Sequence, residues 1–161
     1  MKQFFLFILV CQMAACSAQQ KTFVQPVAED VLSDFVNVRD FTINATGNEA
    51  YFSLQSPMGE LSAIVQIKKE NGKWTAPNMV HFSGQYQDLE PFLTSDGLQL
   101  YFASNRPKND TSSIAGDYDI WKVERKTISD EWSNPVNIGA PINSEYNEFY
   151  ASIAANGNFY F

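Results

Sequence analysis

Histidine, cysteine and positive charge are all scarce in this chain. His81 is the single histidine, and Cys11 and Cys16 are the only cysteines. A Cys/His zinc site needs several such ligands, so that class is excluded. A Ser-His-Asp mechanism would rest on His81 alone, and no Gly-x-Ser-x-Gly pattern accompanies it. Lys and Arg number 11 against 18 Asp and Glu, a formal net charge of −7. That sign is wrong for a surface that neutralises phosphates, and no nucleic-acid partner is expected. No Asp-x-Asp-x-Asp-Gly loop with a distal Glu is present. Asp117 and Asp119, on either side of Tyr118, therefore read as strand-end residues and not as a calcium cage. No metal or other cofactor is expected.

What is present is apolar and aromatic. Hydrophobic residues make up 45 % of the 161 positions and charged residues 18 %, a balance that builds one packed domain and not a disordered chain. Lys2 precedes the run Phe4-Phe5-Leu6-Phe7-Ile8-Leu9-Val10 and then small residues, the pattern of an export signal over residues 1–15. The run is too short to cross a bilayer, which takes about 20 residues. Met13-Ala14-Ala15-Cys16 resembles the lipobox of a bacterial lipoprotein, with Met13 where that box usually carries Leu. The resemblance implies that Cys16 is lipidated, becomes the mature N-terminus and anchors the protein to a membrane. The alternative is ordinary cleavage near Ala18-Gln19, which leaves a soluble exported protein. Both readings export the chain; the periplasm or the outer membrane is the expected location, with secretion open if cleavage leaves it soluble.

After a lead-in over residues 16–40, a repeat governs residues 41–161. Asn44-Ala45-Thr46-Gly47-Asn48-Glu49-Ala50-Tyr51-Phe52-Ser53 matches Thr94-Ser95-Asp96-Gly97-Leu98-Gln99-Leu100-Tyr101-Phe102-Ala103, and Ala155-Asn156-Gly157-Asn158-Phe159-Tyr160-Phe161 opens a third copy. The glycines Gly47, Gly97 and Gly157 stand 50 and then 60 residues apart, and Trp74-Thr75-Ala76-Pro77 is echoed by Trp132-Ser133-Asn134-Pro135. Each unit reads as four short strands, with an Asx-Gly type turn in which glycine supplies positive φ. Outside the signal no window sustains helical periodicity, so helix content should be low. Antiparallel four-stranded units of this length are blades that close radially. Two units and an opening hairpin cannot close a ring; a fragment of a longer protein is expected, with pairing to other chains to finish the ring as the lesser alternative.

The residues 91–106, Gly116-Asp117-Tyr118-Asp119-Ile120-Trp121, Trp132-Ser133-Asn134-Pro135, Asn137-Ile138-Gly139 and 142–148 carry a resemblance. They are similar to the WD40-like β-propeller repeat of the TolB-like family of exported bacterial envelope proteins. The resemblance implies an incomplete all-β propeller that binds partners through its faces. Among the repeat residues, Arg106 is expected to bridge internally to Asp88, Glu90 or Glu148, Asp119 to serve the strand, and Trp74 and Trp132 to pack, with an aromatic sugar platform as the lesser alternative. The expected function is a non-catalytic envelope module for protein or glycan partners. The competing expectation is a sialidase-like glycan hydrolase, but neither turn before Trp74 or Trp132 preserves the Ser-x-Asp-x-Gly-x-Thr-Trp box of those enzymes.

The lipobox reading is tested by Cys16→Ala, which should abolish incorporation of labelled fatty acid and release the protein from membranes. Multiple acyl chains are needed for firm retention. Unchanged fractionation of the variant would contradict the reading.

Overall fold

The computed structural model describes residues 24–108 and 115–161. The expected signal peptide and Cys16 lie outside the described residues. Among those residues the fold is all-β and antiparallel apart from one four-residue helix, α1 (Glu29–Leu32). In the first sheet β1 (Val38–Ile43), β2 (Glu49–Gln55) and β3 (Ser62–Glu70) lie in order. The short β4 (Lys73–Trp74) and β5 (Asn78–Met79) both pair with β3. The second sheet runs β6 (Asp88–Leu93), β7 (Gln99–Ser104), β8 (Asp119–Glu124) and β9 (Val136–Asn137), and β10 (Ser152–Ile153) pairs with β11 (Phe159–Tyr160) as a third hairpin.

Four strands per repeat describes the second sheet; in the first, the outer strand is split into β4 and β5. Pro77 lies in the gap, and proline has no N–H to give to a ladder. The Trp segments nonetheless hold the same backbone tie. Thr75 N–H donates to the Lys68 carbonyl and Ser133 N–H to that of Glu124, both at 2.8 Å.

The three glycine turns are alike. Gly47, Gly97 and Gly157 take φ of 69°, 71° and 86°, and each donates its N–H to the carbonyl three residues earlier, on Asn44, Thr94 and Ala154, at 3.0, 2.8 and 2.8 Å. A second repeated feature is invisible in the apolar pattern. Asp40, Glu90 and Tyr150 sit seven residues before the three glycines with φ of 59°, 57° and 57°. At the first two the ladder slips, between Arg39 and Thr42 and between Leu89 and Phe92. A bulge of this kind breaks the period of two. For that reason the first strands begin at Val38 and Asp88, earlier than the apolar runs at 41–43 and 92–94 suggest.

Packing follows from alternation along the strands. On β2, Ala50 and Phe52 face one way, toward Val65, Ile67, Ala28 and the helix residues Val31 and Leu32, while Tyr51 faces the other. On β7, Leu100 and Phe102 join Tyr51, Ile64, Val80 and Phe82 in the layer between the sheets, while Ala103 and Tyr101 pack toward Ala151, Phe149 and Phe159. Both long sheets are thus covered on both faces. Each side chain of the size of Phe52 or Phe102, fully buried here, contributes about 1.5 to 3 kcal/mol.

The turns supply a test. A β-branched residue is strained at positive φ, so Gly47→Val and Gly97→Val should each cost about 1 to 3 kcal/mol in urea unfolding. A Cβ at Gly47 meets open space, and one at Gly97 comes within 2.8 Å of Cδ1 of Ile128. That methyl ends an exposed, rotatable side chain, so the two losses should stay close. A loss confined to one position would break the equivalence.

Candidate functional site

Two buried arginines organise the polar contacts around the sheets. Nη2 of Arg106 meets Oδ1 of Asp88 at 2.7 Å and the Phe82 carbonyl at 3.1 Å, while Nε donates to Ser104 Oγ at 2.9 Å. Oδ2 of Asp88 accepts from Ser83 Oγ at 2.7 Å, and Ser83 in turn accepts the N–H of Ile64 at 2.9 Å. A continuous chain of hydrogen bonds therefore runs from the first sheet into the second. Of the three carboxylates expected for Arg106, only Asp88 binds it. Glu148 stands one repeat beyond Asp88 and serves the third unit instead, accepting from Ser144 Oγ at 2.5 Å.

The second pair was not anticipated. Arg125 reaches across to Glu49, with Nη2 at 2.5 Å from Oε2 and Nη1 at 3.0 Å from Oε1, the side chains 1 % and 3 % exposed. Tyr51 and Gln66 donate to the same carboxylate at 2.9 and 2.8 Å. Trp132 donates Nε1 to the Tyr51 hydroxyl at 3.0 Å and lies under the Arg125 guanidinium, 4.3 Å from the ring centre. Burial alone pushes the Glu49 carboxyl up, but the Arg125 and Tyr51 hydrogen bonds and the Arg125 charge outweigh it and leave its pKa below the ordinary value.

The two tryptophans differ in surroundings. Trp132 is buried between the sheets, whereas Trp74 is half-buried against the first sheet's other face with Lys69 over its ring at 4.9 Å. Asp119 is fully buried at the start of β8, where Oδ2 takes Lys108 Nζ at 3.0 Å and Asn137 Nδ2 at 2.9 Å. His81 is exposed, edge-on to Phe82.

The remaining polar cluster lies where the first strands of the repeats meet. Thr42 Oγ1 accepts the Leu93 N–H at 3.1 Å and Ser53 Oγ accepts the Glu90 N–H at 3.0 Å, which sets β6 beside the first sheet. Glu90 Oε2 accepts the N–H of Tyr150 at 2.7 Å, while Oε1 lies 3.5 Å from Arg39 Nη2. Arg39 also holds Asp40 at 2.7 Å and donates to the Tyr150 hydroxyl at 3.3 Å. Burial, with the nearby Asp40 charge, raises the Glu90 pKa against the pull of Tyr150 N–H and Arg39. The three glycine turns border a groove of about 600 Å³ lined by Thr42, Ile43, Phe92, Leu93, Ile153 and Gly157. Non-glycine residues at positive φ are strained, and such strain gathers at functional positions. Extending the glycine alignment back by seven residues pairs Asp40 with Glu90, and that is the signal in the sequence that would have pointed here.

Compared with known family models, curated proteins and solved structures, the chain matches none.

The two buried glutamates should respond oppositely to neutralisation. Glu49 has a lowered pKa, so its stabilisation is present above the ordinary 4.5 and is lost as pH falls through the folded value. Glu90 has a raised pKa, so its protonated form favours folding at low pH and that advantage is lost as pH rises through the folded value. Glu49→Gln should cost about 3 kcal/mol at neutral pH, shrinking as pH falls below the ordinary carboxylate range, because it leaves Arg125 buried without a counter-charge. Glu90→Gln should leave the neutral-pH Tm unchanged or raised. Thermal melts across pH decide it, and equal losses for both variants would contradict the assignment.

Proposed function

We propose that this chain is a non-catalytic binding module of the bacterial cell envelope, built from TolB-like β-propeller blades, and that it takes a protein or glycan partner where its first strands converge. Blades that close radially place their first strands around an axis. The observation that carries the reading is the triple recurrence of a left-handed, non-glycine residue at one offset, Asp40, Glu90 and Tyr150, interlocked through Arg39. Together they form a polar cluster on the first strands of the three repeats. Tyr150 is 64 % exposed there and free to touch a partner. The envelope placement rests on the export signal.

Glu90 with Asp40 is the pair that favours the hydrolase reading, since glycosidases use two carboxyl groups, one with a raised pKa. Glu90 is 6 % exposed and already bound to the Tyr150 N–H, which leaves it poorly placed to protonate a substrate.

The test is a photoreactive phenylalanine analogue at Tyr150 in intact cells, with the same label at exposed Lys126 as control. A discrete envelope adduct is expected from position 150 and not from 126, and Arg39→Ala should weaken it. Equal labelling from both positions, or turnover of fluorogenic glycosides by the purified chain, would overturn the reading.

A further inference from the structure

Two turns of this chain contain an asparagine followed by glycine, Asn71-Gly72 between β3 and β4 and Asn156-Gly157 between β10 and β11. Asparagine is among the chemically labile residues. Its side-chain amide carbon lies within reach of the nitrogen of the next residue, and glycine has no Cβ to hinder the approach. All four residues are exposed, so access to water does not separate the two turns. The strands they precede, β4 and β11, are equally short at two residues each. What differs is the hydrogen bonding.

In the third hairpin both reacting groups are occupied. The Gly157 N–H donates to the Ala154 carbonyl at 2.8 Å, and Asn156 Oδ1 accepts the Asn158 N–H at 3.1 Å. The nitrogen must give up its acceptor, and the side chain its donor, before the two can meet. The β3–β4 turn holds neither group back. Asn71 and Gly72 take φ of 51° and 81°, the paired left-handed conformations of a two-residue hairpin turn. Among the described residues the Gly72 N–H meets no acceptor and the Asn71 side chain makes no hydrogen bond. A Cβ at Gly72 would meet nothing within 4 Å, so no neighbour leans on the turn and resists its rearrangement.

We propose that Asn71, and not Asn156, is a site of spontaneous deamidation, and that the β-linked product releases β4. Hydroxide takes the Gly72 amide proton, and the nitrogen attacks Asn71 Cγ. The new C–N bond closes a five-membered imide as the Cγ–Nδ2 bond breaks, and Nδ2 leaves as ammonia with a proton from water, which restores the hydroxide. Water then opens the ring at either carbonyl. Opening at Cγ gives aspartate, and opening at the backbone carbonyl gives isoaspartate, whose main chain runs through Cβ and Cγ. Both products carry a new carboxylate next to Glu70, in a chain that already has 18 acidic residues against 11 basic ones. Isoaspartate also lengthens the main chain of a turn whose geometry is set for two ordinary residues. The pairs Lys69↔Trp74 and Glu70↔Lys73, which are all that join β4 to β3, are the ones it disturbs. The inference does not rest on the propeller reading, because it concerns one hairpin and its bonds.

The purified full chain is incubated at mildly alkaline pH, folded in mild detergent or unfolded in concentrated urea. Peptides spanning each turn are followed by mass spectrometry for the exchange of NH2 for OH. In the folded chain Asn71 should convert roughly tenfold faster than Asn156, and in urea the two rates should converge, because the bonds that protect Asn156 are then gone. The Thr75 N–H, which donates to the Lys68 carbonyl at 2.8 Å, reports on β4. Its hydrogen exchange should be roughly tenfold faster in the isoaspartyl fraction than in the unaltered chain. Asn71→Asp carries the same charge on an ordinary main chain and should leave that exchange nearly unchanged. The inference is overturned if Asn156 keeps pace with Asn71 in the folded chain, if their difference persists in urea, or if Asn71 stays intact while folded although it converts in urea. Unchanged Thr75 exchange in the isoaspartyl fraction, or equally fast exchange in Asn71→Asp, would overturn the release of β4 by the lengthened main chain. None of these results bears on crosslinking from Tyr150.

Discussion

Glu49 and Arg125 meet in the layer between the two long sheets, and most of what surrounds that layer is arranged for them. A buried charge is tolerable only when it is paired and its remaining hydrogen-bonding capacity is used. Here Tyr51 and Gln66 complete the carboxylate, the Gly97 and Ile128 carbonyls complete the guanidinium, and Trp132 covers its face. The Asp88–Arg106 pair repeats the solution nearer the other end of the strands, with Phe102 and Trp121 as the covering rings. Hydrophobic contacts alone would let two pleated surfaces slide. The Glu49–Arg125 pair fixes which residue of the first sheet faces which residue of the second, while Asp88–Arg106 ties neighbouring strands of the second sheet together.

The repeat was legible in the sequence because it is written in residues with narrow conformational options. Gly47, Gly97 and Gly157 are needed at positive φ, and the aromatic strands after them have one obvious periodicity. The low helix content and the internal pairing of Arg106 were legible for the same reason. The bulges were not, since Tyr150 breaks the acidic pair that Asp40 and Glu90 make, and the three have only a backbone angle in common. Nor was the Glu49–Arg125 pair, whose partners stand 76 residues apart. They face each other only once two sheets are stacked, and no local pattern encodes that. Trp74 and Trp132 mark the limit of repeat logic: equal in sequence and backbone bonding, they face different neighbours because only Trp132 has another sheet in front of it.

Strain and interlock occur together at the meeting of the first strands. A left-handed conformation at Glu90 turns its N–H toward Ser53 on the preceding sheet and its carboxylate toward Tyr150 on the following hairpin. One residue therefore reads both neighbours, at a conformational cost of roughly 1 to 3 kcal/mol. The proposed surface where the first strands meet is thereby held on a frame that resists distortion, as any site for selective recognition requires.

The direction of these clasps has a consequence for how the molecule is made. Trp132 and Arg125, late in the second unit, reach back to Tyr51 and Glu49 in the first, and Tyr150 reaches back to Glu90. In each case the later segment supplies the partner that the earlier one lacks. A chain delivered from its N-terminus, as it is by the ribosome, can thus be assembled vectorially. Each arriving sheet then completes the charges and hydrogen bonds of the one before it.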